Sequence, residues 1–550
     1  MEYPSRRGIT LKAIIIGIIV VVANTYWLVL TNEVWYGLHF TLASLFLNAV
    51  FTLFVLTLLN ILLQRWSARA ALNQQELLVV YMMVVMLCTL IEHSLIGYLM
   101  SVLSHPIWFA TPENEWQELF GRYIPQWLTV HDIDVLRGFF DGNTTFYMSK
   151  FVWGWLKPLA AWGAFILVLW WTLLCLNVLI RKPWTEQEKL SYPIIQLPLE
   201  MTMPRARLFR QRGLWVGFAL AFGLDLLNGL HFFFPDLPHI ELRRTQIGHY
   251  FTKKPWNAIG WTTISFYPFV IGLTFFVPLD LSFSCWFFHL FSKAQNIAAA
   301  AVGVRGLPGA PYINEQAAGS WLALGILALW ATKRHFGQMW HAVWKKSDFD
   351  AQEPMRYRTA LLGVSGGLIF LSIFCYRAGM SLGIVGGFLA VYLVMAFGIA
   401  HVRAEIGPPV HGMVFVNPRQ ILVATLGTRR VGKANLTILS FLYAFNRCNR
   451  AHPMPNQLEA FKIAERADID RRRLIPAMLL AIVVGIIACF WLHLHVLYRY
   501  GGANRSSGFV IGIGRESFLP LQHWLRHPAS TDIPATSAIG VGAVVTLLLT

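Results

Sequence analysis

Charge is what this chain has least of. Only 13% of its 550 residues are Asp, Glu, Lys or Arg, about half the ~25% share of a soluble domain. That scarcity excludes an ordinary water-soluble globular protein. Acid is scarcer than base, 28 against 45, for a net charge of +17. The basic residues gather between apolar runs and no recognition motif accompanies them, so the excess reads as loops beside anionic lipid and not as a nucleic-acid surface. Cysteine is sparse too. Cys88, Cys175, Cys285, Cys375, Cys448 and Cys489 are scattered, mostly within apolar runs, with no CxxC. This excludes a disulfide framework and leaves them as small buried hydrophobes. Arg6, Arg7 and Lys12 precede an apolar run with no small-residue cleavage site after it, so that run is a first spanning helix, not a cleaved signal. HExxH, GxSxG, a P-loop and a GxGxxG after a strand are all missing, which removes the commonest enzymatic readings and gives no reason to expect a metal or cofactor. One D-x-D, Asp132-Ile133-Asp134, keeps a membrane enzyme of lipid-linked or exported polysaccharide chemistry as the enzymatic rival.

Apolar residues are what the chain has in abundance: 56% hydrophobic, with 22 Trp and 39 Phe. A membrane helix needs about 20 such residues. Runs of that kind lie at 12–31, 38–63, 76–103, 155–180, 213–235, 317–332, 358–376, 380–402 and 473–496, with less regular segments at 258–292 and 420–446. A last run, 535–550, reaches the final residue, so a C-terminal truncation with further helices is expected. The class is therefore all-α, a single integral membrane domain of about 12–13 segments in one polytopic bundle.

Lys and Arg set the orientation. Loops 181–212, 333–358 and 447–473 are basic and are expected in the cytoplasm with the N-terminus, while 104–154, rich in Trp and acid, is expected as an extracytoplasmic cap. The first two loops can share a side only if 258–292 crosses twice or re-enters. Pro268 and Pro278 interrupt that segment, and broken backbone at membrane depth is tolerated where it is buried in protein or lines a cavity.

Ionisable residues inside spans are costly and mark candidate sites. Glu92 and His93 sit deep in the third run. Asp225, Asn228 and His231 recur at i, i+3 and i+6 on one helix face, and Asp280 follows the Pro278 break. Glu92, His93, Asp225 and Asp280 are the candidates for carrying a proton or cation. Asn228 and His231, with His401, Arg403 and Glu405 around Gly407-Pro408-Pro409, are the candidates for a gate or a substrate contact. For each, packing alone is the competing explanation.

Several stretches carry a resemblance: "LNQQELLVVYMMV" (72–84), "WFATPENEW" (108–116), "RKPWTEQEKLSYPIIQLPLEM" (181–201), "PGAPYINEQAAGSW" (308–321) and "RAEIGPP" (403–409). Together they resemble an uncharacterised family of bacterial multi-pass membrane proteins. More remotely, "EKLSYPIIQLPLEM" and "QQELLVVYMM" are similar to the oligopeptide transporter superfamily, which implies a proton-coupled carrier of peptides or metal chelates. The expectation is a secondary active transporter in a bacterial inner membrane. Its partners would be a small-molecule substrate and membrane lipid, with no nucleic acid, and a homo-oligomer is compatible with it.

Overall fold

The computed structural model describes residues 9–550 except 36, 38, 68, 92–94, 204–206, 243, 276, 308, 345–347, 414, 415 and 507. Its architecture is all-α. Among the described residues the strands are one antiparallel pair of two residues each, Thr245–Gln246 with Thr263–Ile264. The principal helices are α1 (Leu11–Glu33), α2 (Leu47–Trp66), α3 (Gln74–Cys88), α4 (Ile96–Trp108), α5 (Ile133–Asp141), α6 (Ser149–Lys182), α7 (Arg212–Phe233), α8 (Leu279–Ala301), α9 (Ile313–Ala331), α10 (Tyr357–Arg377), α11 (Leu382–Glu405), α12 (Pro453–Arg466), α13 (Arg471–Tyr500), α14 (Phe509–Arg526) and α15 (Ile533–Leu549). Among the described residues, α1, α2, α6, α7, α10, α11 and α13 are long and apolar enough to cross a membrane, and α3 and α15 are shorter apolar helices.

Local sequence sets the helix ends. Thr10 caps α1 by accepting from the Ala13 amide. Asn73 and Glu76 form a reciprocal capping box at the start of α3, which satisfies two orphan amides at once. Arg181 and Lys182 close α6, where cations favour the helix dipole.

Three expected segments are broken. The run at 76–103 holds two helices, α3 ending at Cys88 and α4 starting at Ile96. Segment 258–292 is a short helix Pro268–Thr274 followed by α8, with Pro278 as its N-cap. This is the proline interruption read from the sequence. Segment 420–446 is Pro418–Leu426, Thr428–Val431 and Lys433–Phe441, jointed at Gly427 and Gly432.

Packing is uneven. Helices α3 and α4 are buried along nearly their whole length, with α1 and α13 against α3, α2 beside it, and α10 against α6. Helix α9 lies between α11 and α15. By contrast α7 has no buried residue and α8 only Ala299.

The basic loops meet at one face. Arg181 donates to Glu353 at 2.9 and 2.7 Å and to Glu465 at 3.0 Å, so loops 181–212, 333–358 and 447–473 share an ionic knot. Lys12 donates to the Ala71 carbonyl at 2.9 Å and Gln75 to the Ala467 carbonyl at 3.0 Å. The start of α1 therefore lies at the same face. The 104–154 segment docks at the other end: Arg526 donates to Glu115 at 3.0 Å, and the Asn143 amide to the Arg499 carbonyl at 3.1 Å.

Candidate substrate and ion site

Breaks in three parts of the chain converge inside the bundle: the α1–α2 link, the segment after α11, and the turn before α12. Ser44 joins the first two. Its amide donates to the Pro409 carbonyl at 2.8 Å and its hydroxyl meets His411 Nδ1 at 3.0 Å. The Met413 amide donates to the Cys448 carbonyl at 3.0 Å, which ties in the third. Gly407 makes the bend possible. Its φ is +60°, and a Cβ there would sit 2.2 Å from Pro193 Cγ, so neither the conformation nor the space admits a side chain. Pro408 and Pro409 keep the helix from continuing.

Arg403, in the last turn of α11, is the centre of this meeting point. Its Nε donates to Glu459 Oε1 at 2.7 Å, and its Nη2 to Glu459 Oε2 at 2.8 Å, to Asn456 Oδ1 at 2.8 Å and to the Ser44 carbonyl at 2.7 Å. Both ends of the pair are buried. Glu459 lies eight residues before Ala467 on the basic side, a helical rise of about 12 Å into the packed bundle. The low surrounding dielectric makes a pair of this kind strong as long as both members stay charged and bonded.

The satisfaction is incomplete, and the orphaned atoms cluster. Arg403 Nη1 and Arg450 Nε are buried with no partner among the described residues, while the His411 ring, besides Ser44, also meets the Asn449 backbone. His411 is flanked by Arg403, His452 and Arg450, and His452 meets the Tyr392 hydroxyl at 3.2 Å. Buried polar atoms left without a partner cost free energy, so a local excess of donors is the signature of a place that receives an acceptor.

One space adjoins the pair, and a second has two wall residues in common with it. A space of about 10 Å³, lined by Ser44, Tyr81, Ile194, Arg403, Asn456 and Glu459, is on the scale of a single water. A cavity of about 240 Å³ shares Ser44 and Ile194 with it and is also lined by Gln196, Glu200, Gly407 and Pro409. That is mostly apolar wall with a few polar groups, the usual make-up of a small-molecule site.

The sequence-predicted residues divide. Glu92 and His93 lie outside the described residues. Arg403 is at the site, but its partner is Glu459, 56 positions away, and not Glu405. Two positions apart on a helix point to opposite sides, so Glu405 turns outward and is exposed. His401 is at the rim, 2.9 Å from Glu188 and 3.5 Å from Glu405. Asp225, Asn228 and His231 do share one face of α7, but that helix is peripheral. Asp225 is exposed, Asn228 exchanges two 2.9 Å hydrogen bonds with Ile240, and His231 bonds the Leu237 carbonyl at 2.5 Å. Asp280, in the first turn of α8, is also exposed. Neither Asp225 nor Asp280 lines the space around Arg403. Position on a peripheral helix, which residue spacing does not encode, separates them from it.

Sequence reasoning missed Glu459, Asn456 and Ser44. Glu459 lies in a stretch read as a basic loop; Pro453 and Pro455, which open α12, were the available sign that a helix starts there.

The acid pair of the enzymatic rival is otherwise engaged. Asp132 caps α5 by accepting from the Asp134 and Val135 amides at 2.9 and 3.3 Å. Asp134 is bonded to Lys150 at 2.8 Å, which holds its carboxyl below the usual carboxylate range.

A family model described as a family of unknown function, DUF6785, matches residues 3–550. No curated protein matches the chain.

Proposed function

The chain belongs to that family, and we propose that it is a secondary active transporter of a small organic solute such as a peptide or metal chelate, coupled to protons or another cation. We place it in a bacterial inner membrane with the basic face in the cytoplasm, as the excess of Lys and Arg there argues. One observation carries the proposal: a buried Arg403–Glu459 pair beside a cavity of about 240 Å³, where interrupted backbone segments meet inside a bundle of apolar helices. Transporters build sites from discontinuous helices in this way, because free backbone and charge at membrane depth are tolerated around a polar cavity. The remote likeness of 72–84 and 181–201 to oligopeptide transporters points in the same direction.

The test is uptake. Proteoliposomes holding the chain should accumulate a labelled dipeptide when an inward proton gradient is imposed, and those holding Arg403→Met should not. Uptake equal to that of protein-free vesicles across peptides and peptide-like chelates would refute the reading. The polysaccharide-enzyme alternative needs free acids on the cap, and Asp132 and Asp134 are engaged in a helix cap and an ion pair.

A further inference from the structure

We propose that Glu459 and a substrate carboxylate compete for the Arg403 guanidinium, so that the chain admits an anionic, carboxylate-bearing solute together with one proton. The inference rests on the transporter reading and specifies its substrate class and its coupling.

The geometry of Arg403 is the starting point. A guanidinium presents five donors in a plane, and a carboxylate takes two of them side by side. In the state seen here that bidentate position belongs to Glu459. Nη1 has no partner among the described residues. An incoming carboxylate therefore finds one unused donor on Arg403 at once, and a full two-point grip only if Glu459 lets go.

Charge decides when that happens. Around the pair stand Arg450, His411 and His452; burial and the neighbouring Arg403 favour the neutral form of both imidazoles, so Glu459 is the acid that offsets the Arg403 charge. The titratable or charged groups facing Glu459 are Arg403 from α11, Tyr81 from α3 and Tyr192 from the link after α6. None of these replaces its negative charge at neutral pH. If Glu459 takes a proton, Arg403 is left as a buried cation without a counter-ion, a costly state. Binding a carboxylate relieves it. If Glu459 is ionised, a second carboxylate meets like charge in a low-dielectric space. Proton and substrate anion are thus each favoured by the presence of the other.

The exchange balances. A proton passes from water to Glu459, and the Arg403–Glu459 ion pair becomes an Arg403–substrate ion pair with protonated Glu459 beside it. On release to the other side the substrate leaves, Glu459 returns its proton to water, and the original pair re-forms. No covalent bond changes. The mostly apolar 240 Å³ cavity is left for the rest of the solute.

The experiment uses the full chain in lipid nanodiscs with N-acetyl-dialanine as probe and its C-terminal amide as the uncharged match. The wild-type chain should bind the acid at least tenfold more tightly than the amide. It should take up a proton from weakly buffered solution as it does so, with a protonated-carboxyl band in the difference infrared spectrum. In Glu459→Gln, binding of the acid should persist while proton uptake and that band disappear. Arg403→Met should lose the preference for the acid. Equal binding of acid and amide, no binding of the acid, or proton uptake surviving in Glu459→Gln would each overturn the proposal, and the wild-type comparison decides the first two even if a variant fails to fold. Uptake into proteoliposomes separates the two claims. Transport that stays gradient-driven in Glu459→Gln sinks the exchange but leaves the transporter. Proton-linked binding without any transport leaves the exchange and sinks the transporter.

Discussion

Arg403 and Glu459, 56 residues apart in the chain, are joined by two charge-assisted hydrogen bonds of 2.7 and 2.8 Å inside the bundle. The guanidinium also holds the Ser44 carbonyl and Asn456. One side chain thus ties together α11, α12 and the α1–α2 link, so it is both the chemical centre of the site and a structural joint.

Removing one member should cost far more than removing both. Arg403→Met is expected to destabilise the protein by about 3–5 kcal/mol, since it strands a buried carboxylate, whereas Arg403→Met with Glu459→Met should recover much of that loss. Thermal unfolding in detergent of the two single variants and the double variant reads the difference. A double variant as unstable as the sum of the singles would contradict the pairing.

The ionic knot at the basic face makes a separate forecast. Arg181 bridges Glu353 and Glu465, and Arg472 reaches the Glu353 carbonyl. Glu353→Gln leaves a buried Arg181 with only Glu465 and the more distant Glu186, both partly exposed to solvent. Segment 333–358 should then loosen and become several-fold more susceptible to limited proteolysis, with fragments mapped by mass spectrometry. Unchanged cleavage would mean that the knot does not hold the loop.

Sidedness is open to direct labelling. Ala467→Cys and Gln352→Cys should react with an impermeant maleimide from the same side of the membrane, and Glu113→Cys and Asn504→Cys from the other, in a background whose exposed Cys285 is replaced by Ser. If residues 352 and 467 label from opposite sides, the shared basic face is wrong.

Helices α9 and α15 approach so closely that side chains are excluded. A Cβ on Gly319 would lie 1.8 Å from the Ile539 carbonyl oxygen, and one on Gly542 would lie 1.9 Å from that of Gln316. Small residues at membrane helix contacts allow such approach. Gly319→Val should separate the two helices and lower the melting temperature by several degrees, while Gly217→Val on peripheral α7, where a Cβ meets nothing within 4 Å, should leave it unchanged. Melting curves of the two variants that coincide would count against the contact.

The sequence by itself determined the class of this protein. Apolar runs of membrane length, Lys and Arg between them and prolines at 268 and 278 were enough to predict an all-α membrane bundle with a broken segment, because hydrophobicity, loop charge and proline sterics act locally. It also drew attention to Arg403. Only the tertiary structure decided what Arg403 does. Its partner lies 56 residues away on a helix whose sequence reads as a loop, and its third contact is a backbone carbonyl at Ser44, to which no residue pattern points. The same holds for the acids that spacing singled out. Asp225 and Asp280 resemble intramembrane site residues in one dimension, yet α7 and α8 stand at the edge of the bundle. Which helices form the centre depends on packing among distant segments. Burial of a charge, and hence the energy that makes it a site, is a property of that packing and not of the charged residue.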